Sequence, residues 1–311
     1  MNSITLRNSA IIESDGIFSQ SIHDRFFSFI DASPDTVKAY RNAIKRFVLF
    51  LSAEGITAPT REDVIAFREL LKEERKPTTV QNYITAIKIF FRFLDSAGIY
   101  KNVADKVKGA KLSRDHKKDY LTSGQAKQLL NSIDQTTTTG ARDFAIVSIL
   151  LTTGLRTVEL SRANLEDLRT VGDATALFIQ GKGRGEKTEY VKLAEPVERA
   201  LRNYLAKHPD KKGPAPLFSS ISNNNRSGRL STRSISGIVK GNLIRAGFNS
   251  PRLTAHSLRH TAGTLNLLAG ATLEETQQLL RHKSINTTMI YAHHIDRAKN
   301  NSEARIASAI F

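Results

Sequence analysis

Residues 144–154 read FAIVSILLTTG, and this stretch decides the fold of the second half of the chain. The run Phe144–Leu151 is apolar on nearly all sides, which is typical of a helix buried in the core of a domain. Glycine commonly follows the last turn of a helix, so Thr153 and Gly154 predict where it ends. We therefore expect a buried helix that stops at Gly154.

The segments that follow this helix indicate a small β-sheet and then more helices. Thr175–Gln180 and Thr188–Leu193 are rich in β-forming residues and are joined by a glycine-rich hairpin, Gly181–Lys187. From Val197 onward the pattern is mainly helical, apart from a long loop at Pro214–Arg229. This half of the chain is thus predicted to be an α+β domain.

Before the buried helix, a charged segment at residues 112–119 predicts an exposed linker between two domains. The second domain, residues 120–311, opens with Thr122 and Gln125 at the spacing of a capping box. Residues 1–111 form the first domain. The whole chain is expected to be mainly α-helical, with a small sheet in the second domain.

The first domain is predicted to be a bundle of about four helices. Apolar residues recur at helical spacing through Val37–Leu51 and Val80–Leu94, and over shorter stretches around Phe18–Ile30 and Asp63–Glu73. Ser33-Pro34 suits the start of the first long helix. The periodicity therefore favours an all-helical domain ahead of the linker.

The two long helices carry polar residues on the sides opposite their apolar stripes. Gln81 and Thr85 belong to this set, together with the basic residues Lys38, Arg41, Lys45, Lys88 and Arg92. Such a face is either simply solvated or lies against the phosphates and a groove of DNA. The pattern alone leaves both interpretations open.

The composition limits the kinds of function that are possible. The 311 residues carry a formal net charge of +16, the pI is about 10.0, and there is no cysteine. Disulfides, cysteine–zinc sites and thiol nucleophiles are therefore excluded. With no signal-peptide pattern and no run of about 18 apolar residues, secretion and membrane insertion are not expected. The positive charge suits a polyanionic partner such as nucleic acid.

Histidine, arginine and tyrosine cluster towards the C-terminus. His256, Arg259 and His260 share one side of a predicted helix, and His282 and Tyr291 follow. Arginine can hold two phosphate oxygens, histidine suits a base or hydrogen-bond donor, and tyrosine can be a nucleophile beside cations. The set suits phosphodiester chemistry, although Tyr291 taken alone is more simply a packing residue.

Two other kinds of site fit poorly. The spacing of His256 and His260 resembles a zinc pair, but the glutamate of HExxH is missing and Arg259 would repel a dication. The glycine-rich hairpin fits neither a P-loop nor a dinucleotide fingerprint. No metal and no cofactor are therefore predicted. The cations of the hairpin could instead reach a phosphodiester: Lys182, Arg184 and Lys187.

Five motifs occur in order along the chain: Thr153–Leu160, Gly181–Gly183, His256–Thr261, Leu280–Lys283 and Thr287–Tyr291. With these motifs the sequence resembles the tyrosine recombinase (phage integrase) family, and in size and layout it is most similar to enzymes of the XerC/XerD type. The resemblance covers nearly the whole chain, since the two long helices match the DNA-clamping domain of the family. It implies a helical bundle and an α+β catalytic domain that form a C-shaped clamp on DNA.

The resemblance also implies a role for each matching residue. Arg156 and Arg259 would hold the scissile phosphate, and Lys182 would be the general acid for the departing 5′-oxygen. Tyr291 would be the nucleophile that forms a 3′-phosphotyrosyl bond. These four residues would carry the central steps of DNA cleavage.

Other positions would support this set. His256 and His282 match two catalytic histidines, Glu159 matches an acidic residue that supports the pocket, and His260 matches a structural neighbour. One departure stands beside the site, because Arg281 occupies a position where the family usually has glycine. It is expected to add a cation without removing a catalytic position.

The implied activity is site-specific recombination, in which strands are exchanged via a Holliday junction without a metal or other cofactor. The implied substrate is double-stranded DNA with inverted core half-sites, in the cytoplasm and associated with the nucleoid. A type IB topoisomerase-like enzyme and a non-catalytic DNA-binding protein of the same fold are the alternatives. Whether a second recombinase or an accessory DNA-bending factor takes part is left open.

The last residues predict a short helix with an apolar strip formed by Ile306, Ala309 and Ile310. This strip either packs on its own domain or docks on a neighbouring subunit. The family resemblance implies the second arrangement, in a tetramer on DNA.

Overall fold

The structure, a computed structural model, describes residues 16–111, 119–181, 185–207, 213–221, 227–291 and 302–311. The chain divides into two compact units, residues 1–115 and 116–311. Most of the segment predicted to be a linker, residues 112–118, lies outside the described residues. Within the described ranges, no helix combines the length and the apolar character needed to cross a membrane.

In its described part, the first unit contains the four predicted helices: α1, Gln20–Phe29; α2, Pro34–Ala53; α3, Arg61–Glu74; and α4, Pro77–Ser96. Proline at the first position suits the start of α2 and α4, and Ser33 caps α2 by accepting from the Thr36 amide. The core between the helices is rich in aromatic rings. The rings of Phe26 and Phe90, for example, lie edge-on, with their centroids 5.2 Å apart.

The second unit is built around α6, Thr138–Thr153, which is the buried helix expected from FAIVSILLTTG. It packs against α5, α8, α9 and α10, which span Ser123–Asn131, Glu195–Ala206, Thr232–Arg245 and Ala255–Leu268. A helix that is apolar on nearly all sides can be covered in this way by several neighbours. The capping box predicted for Thr122 and Gln125 is present at the start of α5.

Three antiparallel strands form one sheet in the order β1-β2-β3: Leu168–Val171, Ala174–Ile179 and Glu189–Lys192. β2 and β3 correspond to the two predicted strands, whereas β1 has no counterpart in the prediction. Its sequence, LRTV, has apolar residues only at its two ends and so does not alternate. Leu177 lies opposite both Leu168 and Val191 and anchors the sheet in the core.

The described part of the second unit also has a short 3-10 helix, Leu165–Asp167, and four further α-helices: α7, Thr157–Arg162; α11, Leu273–Leu280; α12, which includes residues 286–291; and α13, Ser302–Ile310. α7 follows α6 after a turn of three residues, Gly154–Arg156. The prediction of a mainly helical chain with a small sheet in its second half is confirmed.

Candidate active site

Arg259 lies at the centre of the candidate site. Its side chain is 2% exposed and donates to the backbone oxygens of Gly154 and Leu280. One guanidinium therefore ties α10 to the ends of α6 and α11, where helix carbonyls lack partners of their own. Burial, and then the charges of Arg156 and Arg281, lower the pKa of Arg259 to about 10, so it is still a cation at neutral pH.

The turn after α6 brings Arg156 next to Arg259. Gly154 has a φ of 60°, which is a left-handed conformation that glycine adopts without strain. The methyl group of an alanine at this position would meet Leu280 Cδ2 at 2.5 Å. The turn is thus both left-handed and tightly packed, and Arg156 becomes the N-cap residue of α7.

Glu159 is a buried carboxylate that both Arg156 and Arg281 contact. Its Oε1 accepts from Arg156 Nη1 at 2.7 Å, and its Oε2 accepts from the Arg156 amide at 2.8 Å. Arg281 Nη2 donates to Oε2 at 3.2 Å. The Glu159 side chain has no exposed surface, whereas that of Arg156 is 30% exposed. Glu159 therefore pairs with the Arg156 guanidinium, part of which is accessible to a ligand.

Tyr291 on α12 packs among histidines. Its ring is parallel to that of His282, with centroids 6.2 Å apart, and lies 5.3 Å from the ring of His260. The residue is 5% exposed, and burial raises the pKa of its phenol, although the charges of Arg259 and Arg156 oppose this rise. The phenol is therefore protonated at neutral pH, and its use as a nucleophile would require a base.

His282 is held in place from two sides. Its Nδ1 lies 2.9 Å from Thr288 Oγ1, and its backbone oxygen accepts from Gln277 Nε2 at 3.0 Å. Burial lowers the pKa of His282 to about 4, and four neighbouring groups lower it further: Arg259, Arg156, Arg281 and His256. A neutral imidazole has one donor and one acceptor nitrogen, so His282 can either take a proton or hydrogen-bond a phosphate.

His256 lies at the solvent side of the site. It is exposed at the start of α10, and its ring is edge-on to that of His260, with centroids 4.7 Å apart. An open groove of about 610 Å³ passes along α7, α9 and the start of α10, and its basic lining includes Arg156, Arg233 and Lys240. A polyanion can therefore approach Arg156 and His256 from solvent.

The structure thus brings together most of the predicted site residues: Arg156, Glu159, His256, Arg259, His260, His282 and Tyr291. Lys182 and Arg184 lie outside the described residues. Lys187, which is predicted to contact DNA, bonds through Nζ to the buried carboxylate of Asp167 in the same unit. That ion pair fixes the end of the hairpin.

The basic residues predicted to face DNA are exposed on α2, whereas on α4 one of them, Lys88, makes a contact within the first unit. Arg41 lies 4.5 Å above the ring of Phe27, which orients its guanidinium. Lys88 is half-buried and donates to the backbone oxygen of Val107 at 3.3 Å, so it also holds the segment after α4. The basic residues of this face that are exposed are Lys38, Arg41, Lys45 and Arg92.

Three supporting contacts have no counterpart in the sequence prediction. Thr288 belongs to the Thr287–Tyr291 motif, and its position six residues after His282 could have suggested a hydrogen-bond partner for the imidazole. Asp167 pairs with Lys187 from 20 residues away, and no local pattern indicates that. The side-chain direction of Arg281 likewise depends on tertiary packing. Among the described residues, no three histidine, aspartate or glutamate side chains are grouped as a metal site would require.

Residues 119–297 match the model of the phage integrase family, and residues 24–98 match that of the phage integrase N-terminal SAM-like domain. Tyrosine recombinase XerD of Listeria monocytogenes serotype 4b is 32% identical over 279 residues, which cover 84% of this chain and 88% of that relative.

Two solved structures illustrate the similarity of fold. One is the XerH site-specific recombinase bound to a palindromic difH substrate in a post-cleavage complex; its TM-score is 0.74 at 21% identity, covering 94% of this chain and 85% of that chain. The other is a lambda integrase tetramer bound to a Holliday junction. Its TM-score is 0.66 at 17% identity, and the match covers 86% of this chain and 75% of that chain.

Proposed function

The chain belongs to the phage integrase family and is a tyrosine recombinase, and we propose that it cuts and rejoins DNA with Tyr291 as its nucleophile. The observation that carries this proposal is the position of Tyr291 between His282 and His260, within the field of Arg259 and Arg156. Phosphoryl transfer to a phenol needs a nucleophile, a neutral base and fixed cations, and this cluster supplies all three.

In the proposed reaction, Tyr291 Oη attacks the scissile phosphorus and the bond to the 5′-oxygen breaks, leaving a 3′-phosphotyrosyl ester. The phenol proton passes to a base, for which we assign His282 because its imidazole is neutral and lies beside the Tyr291 ring. The departing 5′-oxygen takes a proton from Lys182, a role that rests on the family resemblance. Attack by a second 5′-hydroxyl reverses these steps and restores the phosphodiester.

Arg156 and Arg259 would stabilise the negative charge that develops on the non-bridging oxygens. Arg259 is already fixed by two backbone carbonyls, so its remaining N–H groups need no reorganisation to receive a phosphate. Arg156 is held by Glu159 and is the more accessible of the two. The exposed His256 would add a donor on the solvent side of the phosphate.

The proposed substrate is double-stranded DNA with inverted core half-sites. The net charge of +16 suits long-range attraction to a duplex, and the exposed basic face of α2 would contact phosphates. XerH is solved on a palindromic substrate, which is the arrangement that two inverted half-sites create. Action on such DNA would place the enzyme in the cytoplasm, at the nucleoid.

We also infer a tetramer in which α13 docks on a neighbouring subunit. Ile306 and Ile310 form an apolar strip on this helix that is 59% and 68% exposed, and Phe311 extends it. Exposed apolar patches of this kind are typical of protein interfaces. Lambda integrase forms a tetramer on a Holliday junction, which supports the same assembly for strand exchange here.

Recombination is favoured over a type IB topoisomerase-like activity and over simple DNA binding. XerD, similar over most of both chains, is a recombinase by name. A protein that only binds DNA would have no use for a tyrosine packed against a neutral histidine within the field of two arginines. The recombinase therefore accounts for both the site and the exposed terminal helix.

A nicked duplex tests the proposal. Oligonucleotides that bind the protein are first enriched from a random pool, and duplexes of that sequence are then nicked at successive positions. When the nick lies just 3′ of the cleaved phosphate, the short fragment diffuses away and the covalent adduct accumulates. We expect the wild type to form this adduct without Mg²⁺ and Tyr291→Phe to bind the duplex without forming it. An adduct with Tyr291→Phe would show that the nucleophile is another residue.

A further inference from the structure

Arg281 lies at the left-handed end of α11, where the backbone does not favour arginine. Its φ and ψ are 52° and 48°, and glycine takes this conformation with the least strain at the end of a helix. Contacts of the side chain therefore have to account for the arginine.

Those contacts lead into the active site. The Arg281 side chain is 9% exposed, and it donates from Nη1 to Leu279 O at 2.7 Å and from Nη2 to Glu159 Oε2 at 3.2 Å. Arg259 donates to the next carbonyl of α11, that of Leu280. Two guanidinium groups thus satisfy consecutive carbonyls at the end of one helix, where intrahelical partners are lacking.

Glu159 is shared by two arginines that differ in accessibility. Arg156 bonds to Oε1 and is 30% exposed, whereas Arg281 bonds to Oε2 and is 9% exposed. Of the two, Arg156 has the surface with which to turn towards a phosphate. If it did so without Arg281 present, a carboxylate with no exposed surface would lose its charged side-chain partner, which is strongly unfavourable in a protein interior.

We propose that Arg281 is a positioning residue that holds Glu159, so that Arg156 can exchange this carboxylate for the scissile phosphate. The inference rests on the proposed function of Arg156. Arg281 acts through Glu159 and does not itself touch the reacting atoms. It keeps the buried carboxylate paired before and after the exchange, which lowers the barrier to binding the phosphate in its reactive geometry.

Two substitutions separate the effect of the Arg281 side chain from the effect of its left-handed backbone conformation. Arg281→Gly suits the left-handed conformation but removes the guanidinium, and Arg281→Lys keeps the charge. Adduct formation is measured in a single turnover at saturating nicked duplex. We expect Arg281→Gly to slow it about 100-fold, as a slightly misplaced catalytic group can do, and Arg281→Lys to slow it less. DNA affinity, measured with Tyr291→Phe added to each variant, should be unchanged, and urea unfolding checks that each variant is folded.

A double-mutant cycle tests whether Arg281 acts through Glu159. In Glu159→Gln the charge to be balanced is absent, so adding Arg281→Gly should cause little further loss. If the fold-losses in rate of the two single variants multiplied in the double variant, the proposal would be overturned. A wild-type rate of adduct formation in Arg281→Gly would also overturn it. Absence of the adduct in the wild type would instead overturn the proposed function, so the two failures are distinguishable.

Discussion

The imidazole of His282 lies parallel to the phenol ring of Tyr291, with an angle of 4° between the ring planes and 6.2 Å between the centroids. Thr288 fixes the imidazole through Nδ1, and the arginines around it disfavour a further positive charge. The pair therefore joins a protonated phenol to a neutral base in a site that is already cationic. This arrangement has a measurable consequence for the pH dependence of stability.

Protonation of His282 is expected to destabilise the fold. Burial and neighbouring cations lower the pKa of His282 to about 4, below the ordinary value of 6.5 that applies when the chain is unfolded. The unfolded state thus binds the proton more readily. The stability that comes from keeping His282 neutral is therefore fully present above pH 6.5, and it is lost as the pH falls from 6.5 towards 4. Between pH 7 and pH 5 the loss should be about 1 kcal/mol, because His282 is only half-buried and solvent screens part of the effect. Urea unfolding at both pH values measures it.

His282→Gln is the variant that isolates this effect, with the exposed His256→Gln as its control. The loss of stability between pH 7 and pH 5 should be smaller in His282→Gln than in the wild type, and only slightly smaller in His256→Gln, which removes the weakest of the neighbouring contributions to the lowered pKa of His282. An equal loss in all three proteins would contradict a neutral, buried His282.

Gly154→Ala should damage both stability and activity. A left-handed alanine costs about 1–2 kcal/mol, and the clash with Leu280 adds roughly 1–3 kcal/mol. Because the turn positions Arg156 and accepts a hydrogen bond from Arg259, adduct formation should fall about 100-fold. Urea unfolding and single-turnover cleavage measure the two effects.

Gly172→Ala is the matched control, because Gly172 has the same φ of 60° and no atom within 4 Å of an added Cβ. It should cost about 1–2 kcal/mol of stability and leave cleavage unchanged. Equal effects of the two substitutions on cleavage would mean that the packing of the turn is unimportant for the site.

Local periodicity was sufficient to predict the long helices of the first unit and α6, but it could not predict which side chains meet. The apolar spacing of Val37–Leu51 led directly to α2, because a helix needs only information from neighbouring residues. Arg259, by contrast, bonds to Gly154 from 105 residues away, and only the packing of α10 on α6 creates that contact. The motif positions could be recognised in the sequence, whereas the sharing of Glu159 by two arginines required the folded structure.

Lys187→Met is expected to loosen the β2–β3 hairpin. The Asp167 side chain is 2% exposed and pairs with Lys187, whose side chain is 23% exposed. Removing the ammonium leaves a buried carboxylate unpaired, which should cost about 1–3 kcal/mol after allowance for partial exposure of the lysine. Urea unfolding measures the loss, and Lys192→Met, at an exposed position on β3, should change stability by less than about 0.5 kcal/mol. If Lys187→Met kept full stability and only weakened DNA binding, Lys187 would be a DNA contact and not an anchor.

Lys45→Ala should reduce the salt dependence of DNA binding. Lys45 is exposed on the basic face of α2, and each phosphate contact contributes about 0.9 to the slope of log affinity against log salt. Arg46→Ala removes the same charge from the next residue, which is paired with Glu74 at 2.8 Å. The slope should fall by about 0.9 in Lys45→Ala and by less in Arg46→Ala. The same change in both variants would indicate that total charge matters and the face of α2 does not.

Ile306→Glu combined with Ile310→Glu should prevent assembly on DNA without unfolding the protein. Both side chains are largely exposed on α13, so charges there cost little stability in a single subunit but cannot be buried in a neighbour. We expect the double variant to bind one half-site like the wild type and to form no tetramer on paired sites, as measured by analytical ultracentrifugation with labelled duplexes. Ser308→Glu adds a charge to the same helix away from the apolar strip and should assemble normally. Normal assembly of the double variant would contradict docking of α13 on a neighbouring subunit, whereas a large loss of stability would show that the strip packs on its own subunit.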